Sequence, residues 1–370
     1  MNWGGSFTPS QIKSDNCAGL DHFPMTVYAI DPLTDERWRE FLHTHPAASV
    51  FHTPEWLGSL QKTYGYEPVA FTTTSTDFPL ANGILFCRIS RLFGGRRLVS
   101  LPYSDHCEPL VENAQNLDVL MDHLRNSVRQ GDWNSVEIRM PDCSQPKPQD
   151  FDSDTNFYFH KLDLRPDLDH LLGNFHKDCI QRKVNRAIRE ELRYEQGISN
   201  ALLDTFYRLL VMTRRRHGLP PQPLSWFRNL IDGFGDKIKI RVALKHGRPV
   251  ASILTLQYKK TLIYKYSCSD HSLSHLGGTQ FLIWKAIQEA KALGLEELDM
   301  GRSDCANAGL VKFKDRWGAT RMQMIYEWYP SRRRSYRLEA VLSRLGKAIF
   351  PYVPDGLLTM SGRLLYRYIG

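Results

Sequence analysis

Apolar positions along the chain follow two periods, about 3.6 residues for helices and 2 for strands, and they alternate in an order that occurs twice. In the first half, Phe51 to Tyr64 reads as a helix: Thr53 caps it, Pro54 suits its first turn, and Trp56, Leu57 and Leu60 share a face. Tyr66 to Thr73 and Ala81 to Ile89 read as strands joined through the turn residues Asp77-Phe-Pro79, with a further short strand at Arg97 to Leu101. Helical spacing returns through Leu117, Leu120, Leu124 and Val128, and Ser135 to Met140 is a strand closed by Pro141. Asp142 to Asp154, rich in Pro, Asp, Ser and Gln, reads as a linker or exposed loop.

The second half repeats the order without repeating the residues. Leu168 to Leu192, Ala201 to His217 and Trp226 to Phe234 read as helices. Lys239 to Leu244 and Val250 to Tyr258 form a hairpin about Lys245-His-Gly-Arg248, and Leu262 to Cys268 is a third strand. The helix from Thr279 to Leu293 sets Phe281, Trp284, Ile287 and Ala290 on one side and stops at Gly294. Glu297 to Met300 and Arg321 to Trp328 complete the strands. The pattern predicts an α/β (α+β) protein of two similar domains, each a mixed, mainly antiparallel sheet flanked by helices. Expected boundaries are a leader over 1–20, domains over 21–160 and 161–330, and a tail over 331–370. Binding groups belong at the cleft where the domains meet.

Composition narrows the class. A length of 370 residues suits two domains, and 42% hydrophobic with 24% charged residues is the balance of a folded chain. No apolar run reaches the roughly 18 residues that a bilayer span needs, and the first residues lack the basic-then-apolar order of a secretory signal. Seven cysteines without a C-x-x-C pair favour free thiols in a reducing compartment, so a cytoplasmic protein is expected, without disulfide scaffold or metal cluster.

The net charge of +8 is concentrated at the end. From Ser331 onward, eight Lys or Arg face two acids. There Leu338, Val341, Leu342, Leu345 and Ile349 form an apolar stripe flanked by Arg333, Arg334, Arg337, Arg344 and Lys347. Such a segment can lie on the cytoplasmic face of an anionic inner membrane, or dock on the protein with its arginines in water.

Candidate chemistry concentrates between Gly301 and Gly318. Arg302 and Asp304 follow a strand end, a common place for functional side chains. Lys312 and Lys314 share a side if the segment is extended and diverge if it is helical; either can donate to a phosphate, a carboxylate or a developing oxyanion. Trp317 is an aromatic plug or a substrate platform. Gly277, Gly278 and Thr279 stand at the mouth of a helix, where free backbone N–H groups can take the phosphate of a donor.

In the first half, Ser104-Asp-His-Cys107 cannot converge on one atom as a triad, since its members are adjacent. Asp105 or His106 can still bind substrate, with Tyr103 and Glu108 beside them. Arg182, Arg186 and Arg189 share a helical face that suits either phosphate or water. No zinc finger or RNA-binding signature accompanies them, so specific DNA binding is not expected.

Tyr264 through Asp270, the Trp284-containing helix, Leu298-Asp-Met-Gly301 and Gly309-Leu-Val-Lys-Phe-Lys-Asp-Arg-Trp-Gly318 together resemble the FemAB-like branch of the GNAT acyltransferase superfamily. His52-Thr-Pro-Glu-Trp56 and Ser104-Asp-His-Cys-Glu-Pro-Leu110 resemble first-domain motifs of members associated with bacterial exopolysaccharide and exosortase (PEP-CTERM) systems. The resemblance runs from about Asp21 to Tyr329 and leaves the tail uncovered.

It implies two GNAT-like domains in tandem and transfer of an acyl or aminoacyl group from a thioester or ester to an amine. The acceptor it suggests is a cell-envelope or exopolysaccharide precursor, such as an amine-bearing saccharide. Acyl-CoA is the favoured donor, because the long helical hairpin of some tRNA-using wall enzymes is missing. Aminoacyl-tRNA, as in peptidoglycan-type aminoacyl transfer, is the alternative; no permanently bound cofactor is expected. The resemblance puts Lys314 where a counterpart stabilises the carbonyl oxygen or the donor phosphate. Asp304, Asp105 or His106 would orient the amine or take its proton. Trp56, Tyr103, Glu108, Tyr264, Tyr266, Arg302, Lys312 and Trp317 are the expected substrate-positioning residues. A catalytically silent saccharide-binding or assembly factor is the competing expectation.

Overall fold

The computed structural model describes residues 26–91, 95–141, 151–330 and 349–369. The leader and the apolar stripe at 338–345 lie outside the described residues. The first half consists of β1 (Tyr28–Ile30), α1 (Glu36–Thr44), α2 (Pro54–Tyr64), β2 (Glu67–Thr72), β3 (Ile84–Arg91), β4 (Gly95–Ser100), α3 (Ala114–Arg129) and β5 (Ser135–Pro141). The second begins with β6 (Asp152–Asp163), α4 (Leu168–Asn174), α5 (Arg182–Arg189), β7 (Arg193–Gly197), α6 (Asn200–Arg216), α7 (Leu224–Phe234) and β8 (Ile238–Lys245). It continues with β9 (Arg248–Tyr258), β10 (Thr261–Ser269), α8 (Gly278–Ala292), β11 (Glu297–Asp304), α9 (Ala308–Asp315) and β12 (Thr320–Tyr329). Helix α10 (Asp355–Ile369) lies within the tail.

Local chemistry sets several of these boundaries. Thr53 accepts from the Trp56 N–H at the start of α2, and Gly65 ends that helix with φ 73°. The β8–β9 hairpin turns on His246 and Gly247, both with positive φ, as a two-residue turn that matches strand twist requires.

The repeated order is present as topology. In each half three antiparallel strands lead through a helix to a parallel neighbour: β2-β3-β4 with β5 after α3, and β8-β9-β10 with β11 after α8. The periodicity did not show that the two sheets fuse. All twelve strands form one sheet in the order β1-β2-β3-β4-β5-β12-β6-β11-β10-β9-β8-β7. Strand β6 begins inside the stretch that reads as a linker, because its partners β11 and β12 lie far along the chain. The long helix expected at 168–192 is broken: Phe175 is extended and packs edge-on against Trp284 and Trp317.

Helix α3 covers one face of the first half through Leu117, Leu120 and Leu124, and α5 and α8 cover the second half through Val184, Phe281 and Ile287. Between the halves α2 packs against α7, with Trp56 edge-on to Trp226 at 5.1 Å. That shared core, which also holds Phe51, Phe206 and Ile263, fixes the two halves to each other. Buried side chains of this size each contribute about 1.5–3 kcal/mol.

Candidate functional site

Strands β10 and β11 are paired through only Thr261–Ile263 and Glu297–Asp299. Beyond that point β10 has a bulge at Lys265 and β11 a wider one at Met300 and Gly301. Alternation places Thr261, Ile263, Glu297 and Asp299 on one face, with Lys161 opposite Asp299 on β6. The first half closes over this face and leaves a cavity of about 350 Å³, lined among others by Ser49, His106, Glu108, Lys161, Lys259 and Asp299.

A chain of buried polar groups runs along the cavity. The Ser49 N–H and hydroxyl lie 3.1 and 2.9 Å from His52 Nδ1, and His52 Nε2 lies 3.0 Å from the Glu108 carbonyl. Nε2 therefore carries the proton, an assignment made from the network. Burial pushes His52 down to about 4, so it is neutral. His106 is its opposite. Nδ1 lies 2.6 Å from Glu108 Oε2 and Nε2 3.6 Å from Asp299 Oδ2. Burial disfavours charge on His106, but the two carboxylates outweigh it and raise the imidazole to about 10. Burial likewise opposes the Glu108 charge, and the His106 imidazolium overrides it, bringing Glu108 down to about 2.

The bulge of β11 is held from both sides. Its own Asp299 Oδ1 accepts from the Gly301 N–H at 2.6 Å. Gly301 has φ +69°, and a Cβ added there would stand 3.2 Å from Asp105 Oδ2. Asp105 in turn accepts from Lys265 Nζ at 2.7 Å, whose ammonium lies over the rings of Phe51 and Trp56. Burial opposes the charge of Asp105, yet Lys265 keeps the carboxyl below its ordinary value; Lys265 is itself lowered by burial. The two shifts pull differently on the pair. A carboxylate held low in so dry a place needs a cation beside it, so we describe the pair as ionic.

From the other side α9 lays Lys314 against the bulge, where Nζ donates to the Gly301 carbonyl at 2.9 Å and the Arg302 carbonyl at 2.8 Å. Burial lowers Lys314 to about 8, against the pull of Asp105 and Asp299. Because 308–315 is helical, Lys312 diverges from Lys314 and is exposed.

The structure thus gathers Lys314, Asp105, His106 and Glu108, with Trp56 beneath Lys265. Arg302 lies at the edge, its guanidinium over Phe157 and Tyr326 at 4.7 and 5.5 Å. The other expected residues stand elsewhere. Asp304 is exposed and accepts from the Ala306 N–H in a turn. Trp317 is buried in the second-half core. Tyr264 packs on that same core, and Tyr266 accepts from Trp226 Nε1 at 2.8 Å. Tyr103 donates to the Tyr366 carbonyl of α10. At the mouth of α8, Gly277 abuts the backbone of Lys183 and Gly278 the side chain of Val250, which explains both glycines by close packing; Thr279 follows them, half-buried.

Four residues of the network were not among the expected site residues: Ser49, His52, Lys265 and Asp299. Their signal was a polar or charged residue set among apolar neighbours in a strand or tight turn. No group of three or more His, Cys, Asp or Glu that could hold a metal occurs among the described residues. The thiols of Cys107 and Cys268 are buried and pushed up by burial, away from reactive thiolates.

Residues 176–315 match the family profile described as "Acetyltransferase (GNAT) domain". The structure is similar to that of FemX, with a TM-score of 0.61 at 13% identity, covering 86% of this chain and 100% of that one. It is also similar to L-PGS from Bacillus licheniformis, with a TM-score of 0.53 at 13% identity over 86% of this chain and 98% of the other. At such identity the likeness is one of fold. No curated protein matches the chain. The stretch that carries Lys265, Asp299, Gly301 and Lys314 therefore matches the profile of a GNAT acetyltransferase domain, in a chain whose fold is similar to that of FemX.

Proposed function

We propose that the chain catalyses N-acyl transfer in the cavity between its halves, with Asp299 as the group that handles the amine. The supporting observation is the position of Asp299: one carboxylate oxygen is tied to the Gly301 N–H, and the other turns toward His106 at the cavity wall. The acceptor nitrogen attacks the carbonyl carbon of a thioester or ester, forming a C–N bond. Asp299 takes a proton from the nitrogen of the tetrahedral adduct and returns it to the leaving sulfur or oxygen as the C–S or C–O bond breaks. No covalent enzyme intermediate is needed.

In this reading His106, raised against its burial to about 10 by Glu108 and Asp299, stays an imidazolium and lies beside the Asp299 carboxylate rather than acting as the base. An ammonium has three N–H groups, and Lys314 spends two on the bulge carbonyls. Its third, with its positive charge, is left to stabilise a developing oxyanion from beside the β11 bulge, since Lys314 is not among the residues that line the cavity.

Acyl-CoA is the proposed donor, and an amine on an envelope or exopolysaccharide precursor the proposed acceptor. The cavity wall mixes both signs: Lys161 pairs with Glu297 at 3.1 Å and Lys259 donates to the His45 carbonyl, beside Glu108 and Asp299. The test is incubation of the full chain with acyl-CoA or charged tRNA, each with amino sugars and amine-bearing peptides, read by mass spectrometry. Amide product and free CoA thiol are expected. Turnover only with charged tRNA would reassign the donor, and saccharide binding without turnover would favour an assembly factor.

A further inference from the structure

Helix α10 is apolar on two opposite sides, and the protein body uses one. On the inner side Leu358 is fully buried and Gly362 abuts the Pro221 carbonyl. Tyr366 donates from its hydroxyl to the Pro220 carbonyl at 3.0 Å, and its own carbonyl accepts from Tyr66 at 2.8 Å and from Tyr103. Arg215 of α6 donates to the Val353 carbonyl at 2.8 Å and pairs with Asp355 at the start of the helix. Residues 355, 358, 362 and 366 recur at three- and four-residue spacing, so they form one docked face.

The opposite face has no partner among the described residues. Leu357, Met360 and Leu364 follow the same spacing and are 54%, 54% and 60% exposed, and Tyr352 and Ile349 add to the apolar surface just before the helix. An exposed apolar stripe of this kind on a soluble surface ordinarily marks a contact. Charge says what covers this one. Arg363 and Arg367 are exposed beside the stripe. On α6, Arg208 and Met212 are exposed on the side that carries Arg215. Six of the eight net positive charges of the chain fall within residues 331–370. A second copy would set these arginines against one another. A surface of anionic lipid offers hydrocarbon to Leu357, Met360 and Leu364 and negative headgroups to the arginines.

We infer that the outer face of α10 is a docking surface for anionic membrane lipid. The inner face holds the helix in place beforehand, so the apolar stripe is presented by a rigid body. Among the described residues no helix is long and apolar enough to cross a membrane, and the contact inferred is with the surface alone. The inference concerns where the protein works and stands apart from the acyl-transfer reading.

The test is sedimentation of the full chain with vesicles of phosphatidylcholine alone or mixed with phosphatidylglycerol. Deleting the tail would be a poor probe, since Tyr66 and Tyr103 would lose their acceptor. The variant Leu357→Gln/Met360→Gln/Leu364→Gln changes only the outer face. Binding to the mixed vesicles, weakened by salt and reduced about tenfold in the variant at an unchanged melting temperature, is the expected result. Equal sedimentation of wild type and variant would overturn the inference, as would failure of the wild type to bind. A dimer of the wild type that the variant loses, without vesicle binding, would assign the face to a second copy instead.

Discussion

Lys265 Nζ lies 2.7 Å from Asp105 Oδ2, although the two residues are 160 positions apart and neither side chain is open to water. This ion pair joins the halves of the chain at the point where β10 leaves β11. Breaking one partner of such a pair leaves a buried charge uncompensated, at a cost of about 3–5 kcal/mol. Asp105→Asn is expected to lose stability on that scale in urea unfolding. Adding Lys265→Met should recover much of the loss. Additive costs in the double variant would mean that the two charges do not depend on each other.

His106 and His52 should titrate at opposite ends of the accessible range. His106 is raised from 6.5 to about 10, so its contribution to stability is full below about 6.5 and is lost as pH rises toward 10. Glu108 is lowered from 4.5 to about 2, so its contribution is full above about 4.5 and is lost as pH falls toward 2. Both describe one interaction, strongest between those limits. Nitrogen NMR should find both ring nitrogens of His106 protonated from about pH 6 to about pH 9, and one of His52 unprotonated throughout. A midpoint near 7 for His106 would break the proposed arrangement of carboxylates.

Lys314 works in the other direction. Its value in the fold, about 8, lies below the ordinary 10.5, so the unfolded chain binds the proton more readily between those values. Stability from this group therefore rises with pH across that window. Activity should do the reverse and fall as pH passes about 8, because the ammonium is lost. Lys314→Met is expected to lower kcat about a hundredfold or more. Lys314→Arg, charged at all these pH values, should move the alkaline limb upward. An alkaline limb that stays in place in Lys314→Arg would belong to another group.

Gly301→Ala tests the bulge. The position has φ +69°, a backbone region that costs an L-residue about 1–2 kcal/mol. The new methyl would also crowd the Asp105 carboxylate. A loss of at least about 1 kcal/mol in chemical denaturation, with reduced activity, is expected. Unchanged stability would show that the bulge adapts freely.

Local signals carried much of the fold. The β8–β9 hairpin and α8 were legible because turn glycines, caps and apolar spacing are written in consecutive residues. Strand β6 was not, since a polar segment becomes a strand here only through partners β11 and β12 far along the chain. Residue type made Lys314, Asp105, His106 and Glu108 visible. It also drew attention to Trp317, which instead fills the core beside Phe175. Asp299 and Lys265 were hidden because a charge within a strand gains meaning only from register: the three paired residues of β10 and β11 set which face each occupies.

The central claim rests on Asp299, and steady-state kinetics of Asp299→Asn tests it most directly. Asparagine keeps an oxygen for the Gly301 N–H but cannot take the proton of the amine. With a donor and acceptor that the wild type turns over, kcat should fall about a hundredfold or more while KM holds, in a protein that still folds though with some loss of stability from the His106 contact. Wild-type turnover by the folded Asp299→Asn protein would contradict the account.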